Sequence, residues 1–526
     1  MSSGLRGGHL IAFGFPFSPV KPSPFTGLNN GPGVVQSLLD DLEAEMTLVS
    51  RSAAYYNDDD RVRALDWDLS INHKSGAASC VAGVGVESHK MIAPFESLLV
   101  EMMGRKFRPV EWNAESPSCK VTEQRLQELR NRVASWATLV EDQGINGYVN
   151  SNCPHLVDDF IVYLLAAGKG LPTAFPYRLP IVPGVSARLY IPVGLFDHHA
   201  VHGPDGAVVR PEDIPGSEAW RPLPVDLEDI YRHVVHGGST LRELSAQRLA
   251  ARGEARPSLW TPPLINPKVR GVLGWLAALI GPKRRKVRVM RSLWATERAN
   301  LKRLEALTTS ARLPENFIYF PLHMQPEAST NPLGGIFSDQ LRAVRLLADA
   351  LPTGWRLAVK EHPQQQLALR LDGWYDALAR TPGVTLVPMA WDSFALQQES
   401  RAVATVSGAA AWEAWLAGKP AMILGHILYA SAPAIFSVRT REQAHEAMQA
   451  IRGGRVPTTD EIREYLGRLA YLSFPGHLDA YINPSLSPEQ LDPIESEREI
   501  GRRLARAIQD QARSSSAVAE HQKEAG

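Results

Sequence analysis

Three polar segments in the second half of the chain carry residues suited to binding a phosphorylated ligand. The first is VKEHP at 359–363, where Lys360, Glu361 and His362 follow the apolar run RLAV. A lysine and a histidine at a strand end can contact a phosphate or a nucleobase, and Pro363 can open a following helix at its first position. The second is VSGAAAWEAWLAGKPAMILG at 406–425. Ser407 and Gly408 sit where a strand gives way to a helix, whose unpaired N–H groups and dipole favour a phosphate. Glu413 lies one to two turns into that helix, where a carboxylate can accept from ribose hydroxyls. The third is the loop at 319–330, in which His323, Gln325, Glu327, Ser329 and Thr330 are stiffened by two prolines. A rigid polar loop at a cleft can orient a sugar or a phosphate. The plain alternatives are a capping His362, an exposed Glu413 and a capped linker. The chain has no GxxxxGK[ST] and no GxGxxG, so neither a P-loop nor a dinucleotide site is indicated.

A fourth segment, NCPHLVDDF at 152–160, follows the strand-like GYVNS in the first half. It groups His155, Asp158 and Asp159 within little more than one turn. A His or Asp in such a place can act as a general base; His155 is the first choice, and Asp158 and Asp159 are its companions. Acids at a helix start are also favourable for the dipole alone. Cys153 adjoins His155, but adjacency in sequence is not the geometry of a thiolate–imidazole pair. The acidic triplet at 58–60 and the DWD at 66–68 read as solvated loops rather than metal sites.

These segments need strands to place them. Between 316 and 425, apolar runs of four to six residues alternate with helical patterns: FIYF, RLAVK, VTLV, AVATVS and AMILG. That alternation predicts parallel strands in βαβ units, with helices at 338–351, 364–380, 392–399 and 409–417. The region before 200 alternates less cleanly, around LIAFGF, MTLVS and GYVNS, with helices at 123–140 and 156–167. The expected organisation is an α/β chain with two Rossmann-like domains. The boundaries are 1–200 for the first domain, 201–310 for a proline-rich and helical insertion, 311–440 for the second domain, 441–511 for C-terminal helices, and 512–526 for a disordered tail.

The 526 residues carry 56 Lys+Arg and 56 Asp+Glu. That zero balance weighs against a protein that coats nucleic acid. Three cysteines without a CxxC pair give neither a disulfide framework nor a zinc ribbon. The sparse cysteines make a reducing cytoplasm the expected location, and no signal peptide and no membrane-spanning run is read. From Gly271 to Arg291, an apolar stretch containing Trp275 precedes six basic residues: Lys283, Arg284, Arg285, Lys286, Arg288 and Arg291. Such a pairing suits attachment to an anionic membrane surface, here the inner face of the cytoplasmic membrane.

The order FPLHMQPEAST, VKEHP, VSGAAAWEAWLAGKPAMILGHILY resembles the bacterial glycosyltransferases of capsule and surface-polysaccharide biosynthesis, in particular the Kdo-transferase-like capsule proteins. The HP element is similar to that of CMP-sialic-acid transferases and teichoic-acid glycerophosphotransferases. The resemblance covers 310–430, and 145–200 more weakly. It implies a GT-B fold, two Rossmann-like domains facing across a cleft, with no metal and no cofactor. The donor would be a nucleotide sugar, CMP-linked with Kdo or a similar acidic sugar. The acceptor would be a growing glycan or lipid-linked glycan. By the same resemblance, Lys360 and His362 serve the base or phosphate, Ser407 and Gly408 the phosphate, Glu413 the ribose, and Gln325 and Glu327 the sugar side. The chain has Ala409 where relatives often carry Thr, so one phosphate-binding hydroxyl is missing. Other readings are a CDP-alditol-dependent polyol-phosphate transferase, a nucleotide-sugar epimerase, and a non-catalytic glycan-assembly protein.

Overall fold

A computed structural model describes residues 7–14, 32–50, 59–66, 86–106, 118–182, 186–244, 284–309, 311–325, 327–370, 372–476 and 493–524. The first sheet contains β1 (His9–Phe13), β2 (Glu45–Ser50), β3 (Val62–Asp66), β4 (Gly147–Asn150) and β5 (Thr173–Ala174). Its order is β3-β2-β1-β4-β5, with every neighbouring pair parallel. Leu10 to Phe13 are fully buried, as expected of a strand covered on both faces. Helices α1 (Pro32–Leu42), α2 (Ser118–Asp142) and α3 (Val157–Gly168) cover it. Sequence order reverses between β1 and β4, and ligands bind at the carboxyl ends beside such a switch point. Gly14 marks that point: its φ is +91°, and a Cβ there would lie 2.1 Å from Ser151 Oγ.

Beyond β5 the chain forms an antiparallel hairpin, β6 (Tyr177–Val182) and β7 (Ser186–Tyr190). A small antiparallel sheet follows, β8 (Pro192–Gly194), β9 (Asp197–His202) and β10 (Val208–Val209). Helix α4 (Arg284–Leu307) then leads to the second parallel sheet. This contains β11 (Phe317–Pro321), β12 (Arg356–Lys360), β13 (Val384–Val387), β14 (Ala402–Thr405), β15 (Ala421–Ile423) and β16 (Ile435–Ser437), ordered β13-β12-β11-β14-β15-β16. Alternation along β11 divides the core. Ile318 and Phe320 join one apolar cluster, while Phe317 and Tyr319 join another on the opposite face. Between the strands run α5 (Gln340–Asp349), α6 (Trp374–Ala379), α7 (Ser393–Glu399) and α8 (Ala409–Leu416).

After α9 (Thr459–Leu472) and the short β17 (Phe474–Pro475), the long α10 (Pro493–Glu524) returns to the first sheet. Its Ile500, Leu504 and Ile508 share a core with Leu38 and Leu42 of α1. Gln511 brackets the edge of β5, accepting from Thr173 N at 3.0 Å and donating to Thr173 O at 2.9 Å. The helix therefore belongs to the first domain. It runs on to Glu524, where a tail from 512 was expected, because its apolar face is anchored before that point.

Three more expectations meet the structure differently. The helix read over 364–380 is a 3-10 turn at Leu367–Leu369 and the short α6; Gly373, at φ +73°, starts α6 afresh. Pro363 opens no α-helix. The insertion, over its described residues 201–244, is not separate: Leu227, Ile230, Val234 and Leu241 pack in one cluster with Trp412, Trp415, Tyr429 and Leu466. Residues 245–283 lie outside the described residues, so the apolar half of the proposed membrane element does too; Arg284 to Arg291 form the start of α4. Among the described residues no helix is long and apolar enough to cross a membrane.

Candidate functional site

The carboxyl ends of β11 and β14 meet at the switch point of the second sheet, and the polar groups gather there. His323 follows β11. Its Nε2 accepts the backbone N–H of Ser407 at 3.3 Å and lies 3.2 Å from Thr405 Oγ1. Nε2 must then offer its lone pair to Ser407, which puts the ring proton on Nδ1. Nδ1 is buried and meets no acceptor among the described residues. Burial, with His362 and Arg370 nearby, pushes the His323 pKa down to about 3. Gly408 is required by this contact, since a Cβ there would lie 2.7 Å from His323 Nε2. Ser407 Oγ donates to Ser329 O at 2.6 Å, tying the loop after β11 to the turn after β14.

Lys360 ends β12 and is 3 % exposed. Its Nζ donates to Ser393 Oγ at 2.8 Å, at the first residue of α7. Burial lowers its pKa, opposed by the nearby charge of Asp392. Asp392 itself caps α7 through Phe394 N (2.8 Å) and Ala395 N (3.0 Å), and pairs with Arg242. Lys360 is thus a nearly enclosed cation at the mouth of the strand, with no direct carboxylate partner among the described residues. His362 is half-buried, and its Nδ1 accepts from Gln364 N at 3.1 Å. That contact places the ring proton on Nε2, making it a donor. Burial lowers the His362 pKa and so favours the neutral ring, against the adjacent Glu361, which raises it.

Glu361 turns the other way. Arg370 grips it with two bonds, 2.9 and 2.8 Å, and Tyr375 Oη adds a third at 2.8 Å. Arg370 also donates to Gln325 Oε1 at 2.9 Å and to His323 O at 3.1 Å, and it stacks on Trp374 at 4.4 Å. Gln325 is consequently turned inward; it braces the loop from beneath. Gln340 clamps the same loop through His323 N at 2.7 Å and His323 O at 3.1 Å. Glu327 is exposed, and its backbone carbonyl caps the turn at Thr330 and Asn331. Leu333, from the end of this loop, packs in the core cluster of the first domain.

Glu413 sits apart from Ser407 and Gly408. It accepts from Gln397 Nε2 of α7 at 3.0 Å and lines a recess of about 30 Å³ with Leu241 and Lys419. Burial raises its pKa.

In the first domain, His155 lies between β4 and α3. Its Nδ1 is 2.6 Å from Cys153 O. A carbonyl can only accept, so Nδ1 carries a proton, and in the neutral ring the lone pair lies on Nε2. Asp159 fixes this turn as a cap, accepting from Leu156 N at 2.8 Å and Asn150 Nδ2 at 3.2 Å. Asp158 points away from it: its carboxylate meets Arg132 at 2.8 Å and Trp136 Nε1 at 3.0 Å on α2. Of the acids at 58–60, Asp59 is paired with Arg61 at 2.9 Å. Among the described residues no cluster of three or more His, Cys, Asp or Glu has metal-holding geometry.

Sequence reasoning passed over Ser393, Thr405, Gln340, Arg370 and Gln365, all of which brace the loops, Gln365 through its Oε1, which accepts from Gln325 N at 2.7 Å. It also passed over a cavity of about 320 Å³ between the β8–β9 turn and the carboxyl ends of β15 and β16, where His426 and Arg439 sit. His426 was within reach of the same strand-end rule, since it follows AMILG directly. Arg439 was not, because β16 is only three residues long.

Two parallel sheets of Rossmann order, with the loops at the carboxyl ends of the second reaching the first domain, define a GT-B-like α/β architecture. No protein-family model and no curated protein matches the chain. Among solved structures, it is similar to the UDP-GlcNAc 2-epimerase of Methanocaldococcus jannaschii, with 10% identity, 84% of this chain and 91% of that one covered, and a TM-score of 0.22. It is also similar to a β-Kdo 2,7-transferase of Thermosulfurimonas dismutans, with 11% identity, 63% and 88% covered, and a TM-score of 0.25. A third is the α,α-trehalose 6-phosphate synthase of Burkholderia multivorans, with 9% identity, 99% of each chain covered, and a TM-score of 0.27. At such TM-scores these likenesses carry no argument, and the architecture rests on the strand orders themselves.

Proposed function

We propose that the protein is a glycosyltransferase that takes a sugar from a nucleotide donor, a CMP-linked acidic sugar such as Kdo, and passes it to a hydroxyl of a surface glycan. The observation that carries this reading is the opposite polarity of two histidines at the carboxyl ends of the two sheets. His362 presents Nε2–H, a donor suited to a phosphate oxygen or a base carbonyl. His155 holds its lone pair on Nε2, the arrangement a general base needs to take a proton from a hydroxyl.

In this account Lys360 and His362 meet the negative charge that grows on the leaving phosphate, while the N–H groups of Ser407 and Gly408, already given to His323 Nε2 and Thr405 Oγ1, hold the turn beside it. A preorganised cation in a partly dry site serves such charge well. Asp159 orients the His155 turn, while Asp158, bound to Arg132, supports α3 against α2. Gln325 and Glu327 shape the loop on the sugar side. Glu413 is left outside the donor contacts because Gln397 holds it. Attachment to an anionic membrane through the basic start of α4 would bring the enzyme to a lipid-linked acceptor.

The test is product analysis by mass spectrometry. The full chain is incubated with CMP-linked sugars, with and without a glycan acceptor. The reading predicts an acceptor heavier by one sugar residue, with CMP released only when acceptor is present. Conversion of the donor alone would instead assign an epimerase, and transfer of a polyol phosphate would assign the alditol-phosphate class.

A further inference from the structure

The 320 Å³ cavity between the domains is not used by any residue assigned above. It lies at the low end of the size range of small-molecule sites, roughly 300–1,000 Å³, with room for one sugar unit rather than a whole nucleotide sugar. Its floor is the second domain: His426 follows β15, and Ser437 and Arg439 lie at the end of β16. Its roof is the β8–β9 turn of the other side, with Phe196 and His199. The Phe196 ring meets the His426 ring at 5.4 Å, so the two walls touch at one side of the cavity.

Arg439 is the unexplained group. It is half-buried, yet it pairs with no carboxylate among the described residues. Its Nη1 donates to Ile423 O at 2.9 Å and Val438 O at 3.3 Å, and its Nη2 donates to Gly425 O. Those three bonds fix the guanidinium plane and leave Nε–H and one Nη2–H without an acceptor among the described residues. A buried cation is ordinarily paired, because losing its hydration is costly. Burial holds the Arg439 pKa down, at about 10, and holds His426 at about 4, so His426 is a neutral donor and acceptor. The acid lining the cavity, Asp197, is exposed at its edge; its Oδ1 accepts from Ala200 N at 3.3 Å rather than meeting Arg439.

From this geometry we infer that the cavity binds the acidic sugar unit of the substrate, Arg439 taking its carboxylate, His426 and Ser437 its hydroxyls, and Phe196 its apolar side. The inference rests on the glycosyltransferase reading for the kind of ligand and adds the residue that selects an acid over a neutral sugar. A planar fork matched to a carboxylate is what arginine supplies and lysine does not.

Isothermal titration of the full chain tests it. The probes are free Kdo, N-acetylneuraminate and glucuronate, with glucose and inorganic phosphate as controls and CMP titrated in parallel. At least one sugar acid binds saturably, glucose and phosphate do not, and Arg439→Gln weakens the sugar acid about ten- to a hundredfold, the usual effect of losing a charged hydrogen-bonded pair, while CMP affinity stays unchanged. Since Arg439→Gln also removes bonds to three carbonyls, Ser437→Phe serves as the second variant: it fills the cavity from an exposed position and should block the sugar acid but not CMP. The assignment is overturned if no sugar acid binds, if phosphate binds as well as the sugar acids do, or if both variants bind the sugar acid like wild type. Absence of CMP binding alone, with the sugar-acid results intact, counts against the nucleotide assignment and leaves the cavity assignment standing.

Discussion

The imidazole of His323 accepts the backbone N–H of Ser407 at 3.3 Å, so a residue after the first strand of the second sheet shapes the turn after the fourth. Gly408 is the next residue, and its missing Cβ is what lets the ring approach. Gly408→Ala should therefore displace His323 and distort the turn after β14. Nucleotide affinity should fall at least about tenfold, equivalent to ~1.4 kcal/mol, with a small change in melting temperature. Calorimetric titration of nucleotide checks this, and an unchanged affinity would remove the turn from the site.

Under that turn, Glu361 and Arg370 form a bidentate ion pair with each side chain nearly dry, 1% and 2% exposed. Removing one partner leaves the other charge buried, at a cost of roughly 3–5 kcal/mol. Glu361→Ala should lower the denaturation midpoint strongly. The double variant Glu361→Leu with Arg370→Met should recover much of that loss, because neither charge remains. Equal destabilisation by the single and double variants would show that the pair is worth more than its desolvation penalty.

The two histidines assigned opposite roles should separate kinetically. His362→Ala should abolish donor turnover and weaken nucleotide binding. His155→Ala should lower turnover about a hundredfold or more, the lower range for lost general-base catalysis, with nucleotide binding kept. A loss of nucleotide affinity in His155→Ala would place that residue on the donor side instead.

Stability should depend on acid through two buried histidines. His198 and His323 are each held at about 3 in the fold by burial, against about 6.5 in an unfolded chain. Between those values the unfolded chain takes up protons that the folded one refuses. Stability is then full above about pH 6.5 and falls as pH drops, by as much as ~1.4 kcal/mol per pH unit for each residue. Thermal melts at pH 7.5, 6 and 5 should show a steady decline, and a flat profile would mean that these rings can protonate without unfolding.

Much of the second sheet was readable in the chain. Its strands are buried on both faces and appear as short apolar runs, so five of six were placed by pattern, with Ser407, Lys360 and His362 at their carboxyl ends. β16 escaped because three residues carry no period. The 364–380 segment misled, since its helical composition is overruled by Gly373 and by the demand of Glu361 for Arg370 and Tyr375. Asp158 and Asp159 look alike in sequence, yet one faces Arg132 and the other caps its own helix. Only the packing of α2 against α3 separates them. Nothing local announced Arg439, which meets no carboxylate among the described residues.

The central claim, a nucleotide site at the carboxyl end of the second sheet, is tested most directly by thermal shift with CMP, CDP, UDP, GDP and ADP, wild type beside Gly408→Ala. A nucleotide at a hundredfold its dissociation constant stabilises the fold by about 2.7 kcal/mol. The account predicts such a shift with CMP in the wild type, and its loss at the same concentration in Gly408→Ala. A wild-type protein that no nucleotide stabilises, or a shift that Gly408→Ala leaves intact, would contradict it.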